Sequence, residues 1–275
     1  MKISVIHQPL RGLARYKQLG FTLVELIAVL VIVGIVSVIG SQFIVSAVDS
    51  YNDSERRSKM ISRGRASIEQ ITRQLRNALP NSVRVSGTGN CLEYLPIMTG
   101  ANYLNPVADS VNNAPLTTAI STAPFSVGSR SPSYVVIGAM LPNDIYVATL
   151  PAAKATAGTL SAGIHSSVPL GTSHRFIRNS INGRLFLTDS PNRFCLMGGG
   201  LYQYGDYGMD SVLTDSDPGG SRTLLLAEDV STNTQAFLLS PGVEERNTAV
   251  IIALTFSERG DQVALDGKVL VRNVP

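Results

Sequence analysis

Glu25 sits where a carboxylate is hardest to explain. It lies in Gly20-Phe21-Thr22-Leu23-Val24-Glu25-Leu26, and no further charge appears until Asp49. Leu26 to Val48 is thus a run of about 23 uncharged residues, and a helix of that length spans roughly 30 Å, enough to cross a bilayer. A carboxylate at the bilayer centre costs roughly 2.5–3.5 kcal/mol, and less near an end. A generic signal or anchor supplies no reason for it. A cut between Gly20 and Phe21 supplies one, because Phe21 would then carry a free amine four residues before Glu25. A cation and a carboxylate at that depth neutralise each other, within one subunit or between neighbours. Three plainer readings compete: a secretory signal cleaved near Val45-Ser46-Ala47, a plain signal anchor, and a buried soluble helix. The run exceeds the usual ~7–15 residue core of a signal peptide, and it is apolar on all faces.

Other residues with chemical potential are few. The two cysteines, Cys91 and Cys195, are far apart and form no CxxC pair, so a zinc or thioredoxin-like reading lacks support. Each falls in a candidate strand. In an oxidising compartment they are expected to bridge, closing a loop of about 100 residues worth up to ~4.7 kcal/mol; the alternative is two buried free thiols. Asp206, Asp210, Asp215 and Asp217 precede Pro218-Gly219-Gly220. Such a loop can hold calcium, but the spacing is not that of an EF-hand, and an ordinary acidic surface loop is the preferred reading. His7, His165 and His174 sit in no motif, and G-x-S-x-G, Walker A and H-E-x-x-H patterns are absent from the sequence. No catalytic residue, metal or cofactor is expected.

The formal net charge of +3 is misleading. Lys2, Arg11, Arg15 and Lys17 fall in the first twenty residues; removing those four from 23 basic residues leaves 19 against 20 acidic ones. Nucleic-acid binding therefore gains no support. A basic N-terminus before the apolar run favours a cytoplasmic start, with the remainder in the periplasm or outside. Charged residues are 16% of the chain, which suits an exported, β-rich surface protein.

The elements that must position these residues follow from periodicity. Beyond Asp49, Ile61, Ile68, Ile71, Leu75 and Ala78 recur on one helix face, and Pro80 ends the pattern. One helix from Phe21 to Leu79 is predicted, with a transmembrane half (21–48) and an amphipathic half (49–79). Arg56, Arg57, Lys59, Arg63, Arg65, Arg73 and Arg76 form a solvated face, or one that meets lipid headgroups or neighbouring subunits. Candidate strands are Ser82–Ser86, Cys91–Leu95, Tyr134–Ile137, Arg184–Leu187, Arg193–Met197, Leu201–Tyr204, Thr223–Leu226, Ala236–Leu239, Ala249–Phe256 and Lys268–Val271. Gly198-Gly199-Gly200 and Glu258-Arg259-Gly260-Asp261 read as hairpin turns. The order implies an α+β fold, with the helix packed on an antiparallel sheet in a head spanning 80–275. Thr99 to Gly171 reads as an irregular segment of long surface loops broken by the strand near Tyr134.

Residues Gly20 to Leu26, after a basic leader (1–20) and before a long apolar helix, resemble the type IV prepilin signal. The resemblance implies a prepilin peptidase that cuts after Gly20 and N-methylates Phe21, and an assembly role for Glu25. Ser67–Val85, Phe194–Tyr204 and Val271–Pro275 further resemble minor pilins of the mannose-sensitive haemagglutinin (MSHA) pilus. That implies a minor pilin needed for biogenesis of an adhesive pilus. Its partners would be the peptidase, other major and minor pilins, the inner-membrane assembly platform and membrane lipid. The chain would wait in the inner membrane, its head in the periplasm, before reaching the cell-surface pilus. The alternatives are a pseudopilin of a type II secretion system and a membrane-anchored periplasmic enzyme or binding protein.

Overall fold

The computed structural model describes residues 20–147, 149–240 and 248–271. The leader before Gly20, with His7, and the ending Arg272–Pro275 lie outside the described residues. The chain divides into two compact units, Met1–Ser54 and Glu55–Pro275.

Helix α1 (Leu23–Arg76) begins in the first unit and continues into the second. Within the first unit its side chains from Leu23 to Val48 are exposed on every face save half-buried Gly40, so this run is not the buried helix of a soluble core. Within the second unit Met60, Gly64, Ser67, Ile71 and Leu75 are buried. Their steps of four, three, four and four trace one face. Of the expected apolar stripe, Ile71 and Leu75 are buried, Ile61 and Ile68 are half-buried and Ala78 lies past the helix end; Met60 and two small residues complete the buried face. A Cβ on Gly64 would collide with the Leu265 side chain and lie 2.7 Å from the Phe256 ring, so the helix rests almost directly on the sheet. The helix ends at Arg76 rather than Leu79. Asn77 and Ala78 donate to Gln74 and Leu75, and the Leu79 amide turns away to the Leu95 carbonyl at 2.7 Å.

The second unit then forms, in order, β1 (Arg84–Val85), β2 (Cys91–Tyr94), β3 (Ile97–Asn102), β4 (Thr117–Val127), β5 (Tyr134–Val136), α2 (Pro142–Tyr146), β6 (Lys154–Thr156), β7 (Gly163–His174), β8 (Arg184–Thr188), β9 (Asn192–Met197), β10 (Gly200–Gly205), β11 (Arg222–Ala227), β12 (Val230–Ser231), β13 (Phe237–Ser240), β14 (Thr248–Glu258) and β15 (Asp261–Val271). Strands β1-β2-β9-β10-β11 make one antiparallel sheet; β14 pairs with β12, β13 and β15 in another. Their inner faces and α1 share a core that includes Ile71, Leu75, Phe194, Phe237 and Ile252. The architecture is α+β, a long N-terminal apolar helix continuing onto antiparallel sheets. Both expected hairpins form. Gly198 and Gly199 have φ of 56° and 80°, Arg259 and Gly260 of 50° and 92°, the doubly left-handed turn that matches strand twist.

Residues between β2 and β9 correct the reading of Thr99–Gly171 as loops. They build an insertion with its own core of Ile120, Phe125, Val135, Val168, Leu185 and Leu187, among others. Strands run β3-β8-β5-β6, and β4 pairs with β7. Bridges Ala157↔Leu170 and Tyr103↔Thr122 join the β4–β7 ribbon to both ends of that sheet, making a six-stranded antiparallel ring. The alternation was hidden by an irregularity. In β4 the register shifts between Ser121 and Phe125, so buried residues fall on even positions (Ile120, Thr122) before it and odd ones (Phe125, Val127) after it. Such a bulge reverses which face a given parity occupies.

Candidate assembly site and the clamped head

The cap of α1 organises the N-terminal residues. Thr22 precedes the first helical residue; its Oγ1 accepts from the Glu25 amide at 3.3 Å, and its carbonyl accepts from Leu26 at 3.1 Å. Threonine followed three residues later by glutamate is a helix-start pattern, a signal the sequence carries. Glu25 therefore occupies the first turn, where unpaired amides and the helix dipole favour an anion. Phe21 is exposed and lies one residue outside the cap. Gly20, Phe21 and Glu25 thus meet at one helix end, with the exposed apolar run behind them.

The head is held at the base of its insertion. Cys91 and Cys195 form a disulfide; they are directly opposed partners of β2 and β9, and both are fully buried. These strands are the stems through which the chain enters and leaves the ring, so the bond staples the stems together.

Two residues further along the same ladder, Glu93 faces Arg193, and both are 0% exposed. The Glu93 carboxylate accepts from Arg193 at 2.9 Å, from the Tyr207 hydroxyl at 2.8 Å and from Arg84 Nε at 2.6 Å. Spare guanidinium groups reach the loop after β10. Arg84 donates to the carbonyls of Ser211 (2.9 Å) and Asp210 (2.7 Å), and Arg193 to those of Thr214 (3.4 Å) and Ser216 (3.2 Å). The Arg84 guanidinium also stacks 3.6 Å above the buried Tyr146 ring. Burial, then the Glu93 charge, pushes the Tyr207 phenol well up, keeping it a donor. Burial alone would lower Arg193, but Tyr207 and Glu93 outweigh it and hold the guanidinium charged. Sequence reasoning missed this clasp, whose acid and base stand 100 residues apart. The only local signal is one charged residue within each of two largely apolar strands.

The clasp bears on the acidic loop. Asp206 meets Arg130 (3.2 Å) and Arg222 (3.8 Å), Asp215 accepts from Thr88 (2.6 Å), and Asp217 from its own Gly219 amide (2.8 Å), while Asp210 engages through its carbonyl. The four carboxylates do not converge. Among the described residues no group of three or more His, Cys, Asp or Glu could hold a metal ion. His165 contacts the Ser161 carbonyl; buried His174 contacts that of Ala152 and lies edge-on to Phe176. In the basic cluster, Arg56 pairs with Asp261, Arg63 with Glu258, Lys59 with Glu55 and Arg73 with Glu69, while Arg57, Arg65 and Arg76 are exposed.

The family described as the prokaryotic N-terminal methylation motif matches residues 15–41. No curated protein and no solved structure gives a significant match. The motif, the exposed apolar helix behind it and the antiparallel head together support a type IV pilin-like subunit processed as a prepilin.

Proposed function

We propose that the chain is a minor type IV pilin-like subunit needed to assemble an adhesive pilus of the MSHA type, and that it resembles the minor pilin O of that pilus. The observation that carries the pilin reading is Glu25, inside a matched N-terminal methylation motif, at the capped start of a helix whose next 23 residues are uncharged and, save half-buried Gly40, exposed. The MSHA assignment rests on the resemblance of Ser67–Val85, Phe194–Tyr204 and Val271–Pro275 alone. Prepilin peptidase cuts after Gly20 and methylates Phe21. The helix holds the subunit in the inner membrane with its head in the periplasm. It then enters the filament beside other pilins, through the assembly platform, and Glu25 neutralises the amine of Phe21 or of a neighbour. The role is structural, with no catalysis of its own and no cofactor.

N-terminal sequencing and mass spectrometry of the membrane form test processing, and the expected product starts at N-methylated Phe21. A mature terminus at Val48 or at Met1 sinks the reading. Glu25→Ala should be cleaved normally yet enter filaments poorly; normal incorporation of that variant would reject the carboxylate's role. A knockout scored for both surface pili and protein secretion separates the pilus subunit from a type II secretion pseudopilin. Secretion lost with pili intact would reassign it.

A further inference from the structure

Two joined loops lie at the end of the inserted ring remote from its stems, beside residues 137–153. Strands β3 and β8 meet the stems at Ile97 and Thr188, so Asn102 and Arg184 mark their far end. Residues 103–116 follow β3 and residues 175–183 precede β8. Tyr103 donates to the Gly183 carbonyl at 2.9 Å, Ser180 to the Tyr103 hydroxyl at 2.8 Å, and the Asn179 side chain both accepts from and donates to Val107 (2.9 and 3.1 Å). The pair is therefore a tied unit rather than two free loops.

Its sorting of side chains is inverted. Asp109, the sole acid of either loop, is 2% exposed, its carboxylate turned onto the Asn112 amide (2.8 Å) and the Asn179 side chain (2.5 Å). Meanwhile Ile181 is 85% exposed, Val111 73%, Leu104 66% and Leu116 54%. Single exposed apolar residues need no explanation, but four on one tied unit, with the acid inside, mark an interaction surface. The cations narrow the partner. Arg184 is exposed, and half-buried Arg175 donates to the uncharged Asn113 side chain at 3.1 Å. Arg178 is held by Asp144 at 2.7 Å. The tip thus offers apolar side chains beside two arginines, with no exposed acid to repel phosphate.

We propose that this tip docks on an anionic phospholipid bilayer. Leu104, Val111, Leu116 and Ile181 enter the headgroup boundary, and Arg175 and Arg184 meet lipid phosphates. Apolar burial combined with attraction of basic residues to anionic headgroups is the energetics of interfacial binding. The proposal goes beyond the pilin reading and does not depend on leader processing.

The test uses the full chain with its N-terminal helix already seated in a nanodisc of neutral phosphatidylcholine. The protein has no tryptophan, so Ile181→Trp provides a single reporter. Added vesicles containing phosphatidylglycerol should shift its emission to the blue, and brominated acyl chains in those vesicles should quench it. Arg184→Gln should weaken vesicle capture about fivefold, and Leu104→Ser with Val111→Ser about tenfold or more. Melting temperatures equal to the parent's would separate lost capture from lost fold. An unshifted, unquenched reporter overturns the proposal. So does equal capture by pure phosphatidylcholine vesicles, or undiminished capture by the serine variant.

Discussion

At the residue scale, two carboxylates in hostile settings are handled differently. Glu25 stands at a helix start, where backbone amides and an expected new amine favour its charge. Glu93 stands in the middle of a sheet, where two arginines and a tyrosine saturate it. Breaking a buried pair by removing one partner leaves an uncompensated charge and costs about 3–5 kcal/mol. Glu93→Gln should therefore lower head stability by about that much, because Arg193 stays buried without an anion. It should also free the loop after β10, whose carbonyls hang on the two arginines. Denaturant melts and limited proteolysis check this. A variant within 1 kcal/mol of the parent, with no new cleavage between Asp206 and Ser221, would mean the loop is held by other means.

At the element scale, the seating of α1 depends on what is missing from Gly64. In an ordinary exposed helix, Gly→Ala stabilises by roughly 0.5–1 kcal/mol through backbone entropy. Here the added Cβ would lie 2.7 Å from a Phe256 ring carbon and collide with Leu265. Overpacking of this kind costs about 1–3 kcal/mol, so the sign should reverse. Gly64→Ala is expected to destabilise the head, with a larger loss for Gly64→Leu; thermal or denaturant melts read it. A stabilised Gly64→Ala would show that the helix can lift off the β14–β15 hairpin without loss. Gly267 repeats the arrangement from the sheet side, where a Cβ would come within 2.7 Å of Ile68.

At the scale of the whole molecule, the head carries two main cores, one under α1 and one inside the inserted ring, and the Cys91–Cys195 bond joins the stems between them. Cys91→Ser and Cys195→Ser should each lower stability by about 2–4 kcal/mol. The double variant should be no worse than either, since each single change already loses the whole bond. Clearly additive losses, or free thiols in periplasmically expressed protein, would contradict this. The ring's own core places the effect on closing the stems rather than on ordering the enclosed chain. By itself the sequence determined the features whose physics is local: the glycine–phenylalanine junction, the lone Glu25, the length of the apolar run, the glycine turns and the stripe from Ile68 to Ala78. Each is legible because its partners lie within one helix turn or one hairpin. The Cys91–Cys195 bridge is expected from the sequence and is formed, but only the tertiary structure decided that Glu93 meets Arg193, that Gly64 touches Phe256, and that Thr99–Gly171 closes into a ring. Those pairings join residues far apart along the chain, and the register shift in β4 reverses the alternation that would have announced its strand. Long-range contacts leave no period in a single sequence, so they become visible only once the strands have chosen their neighbours.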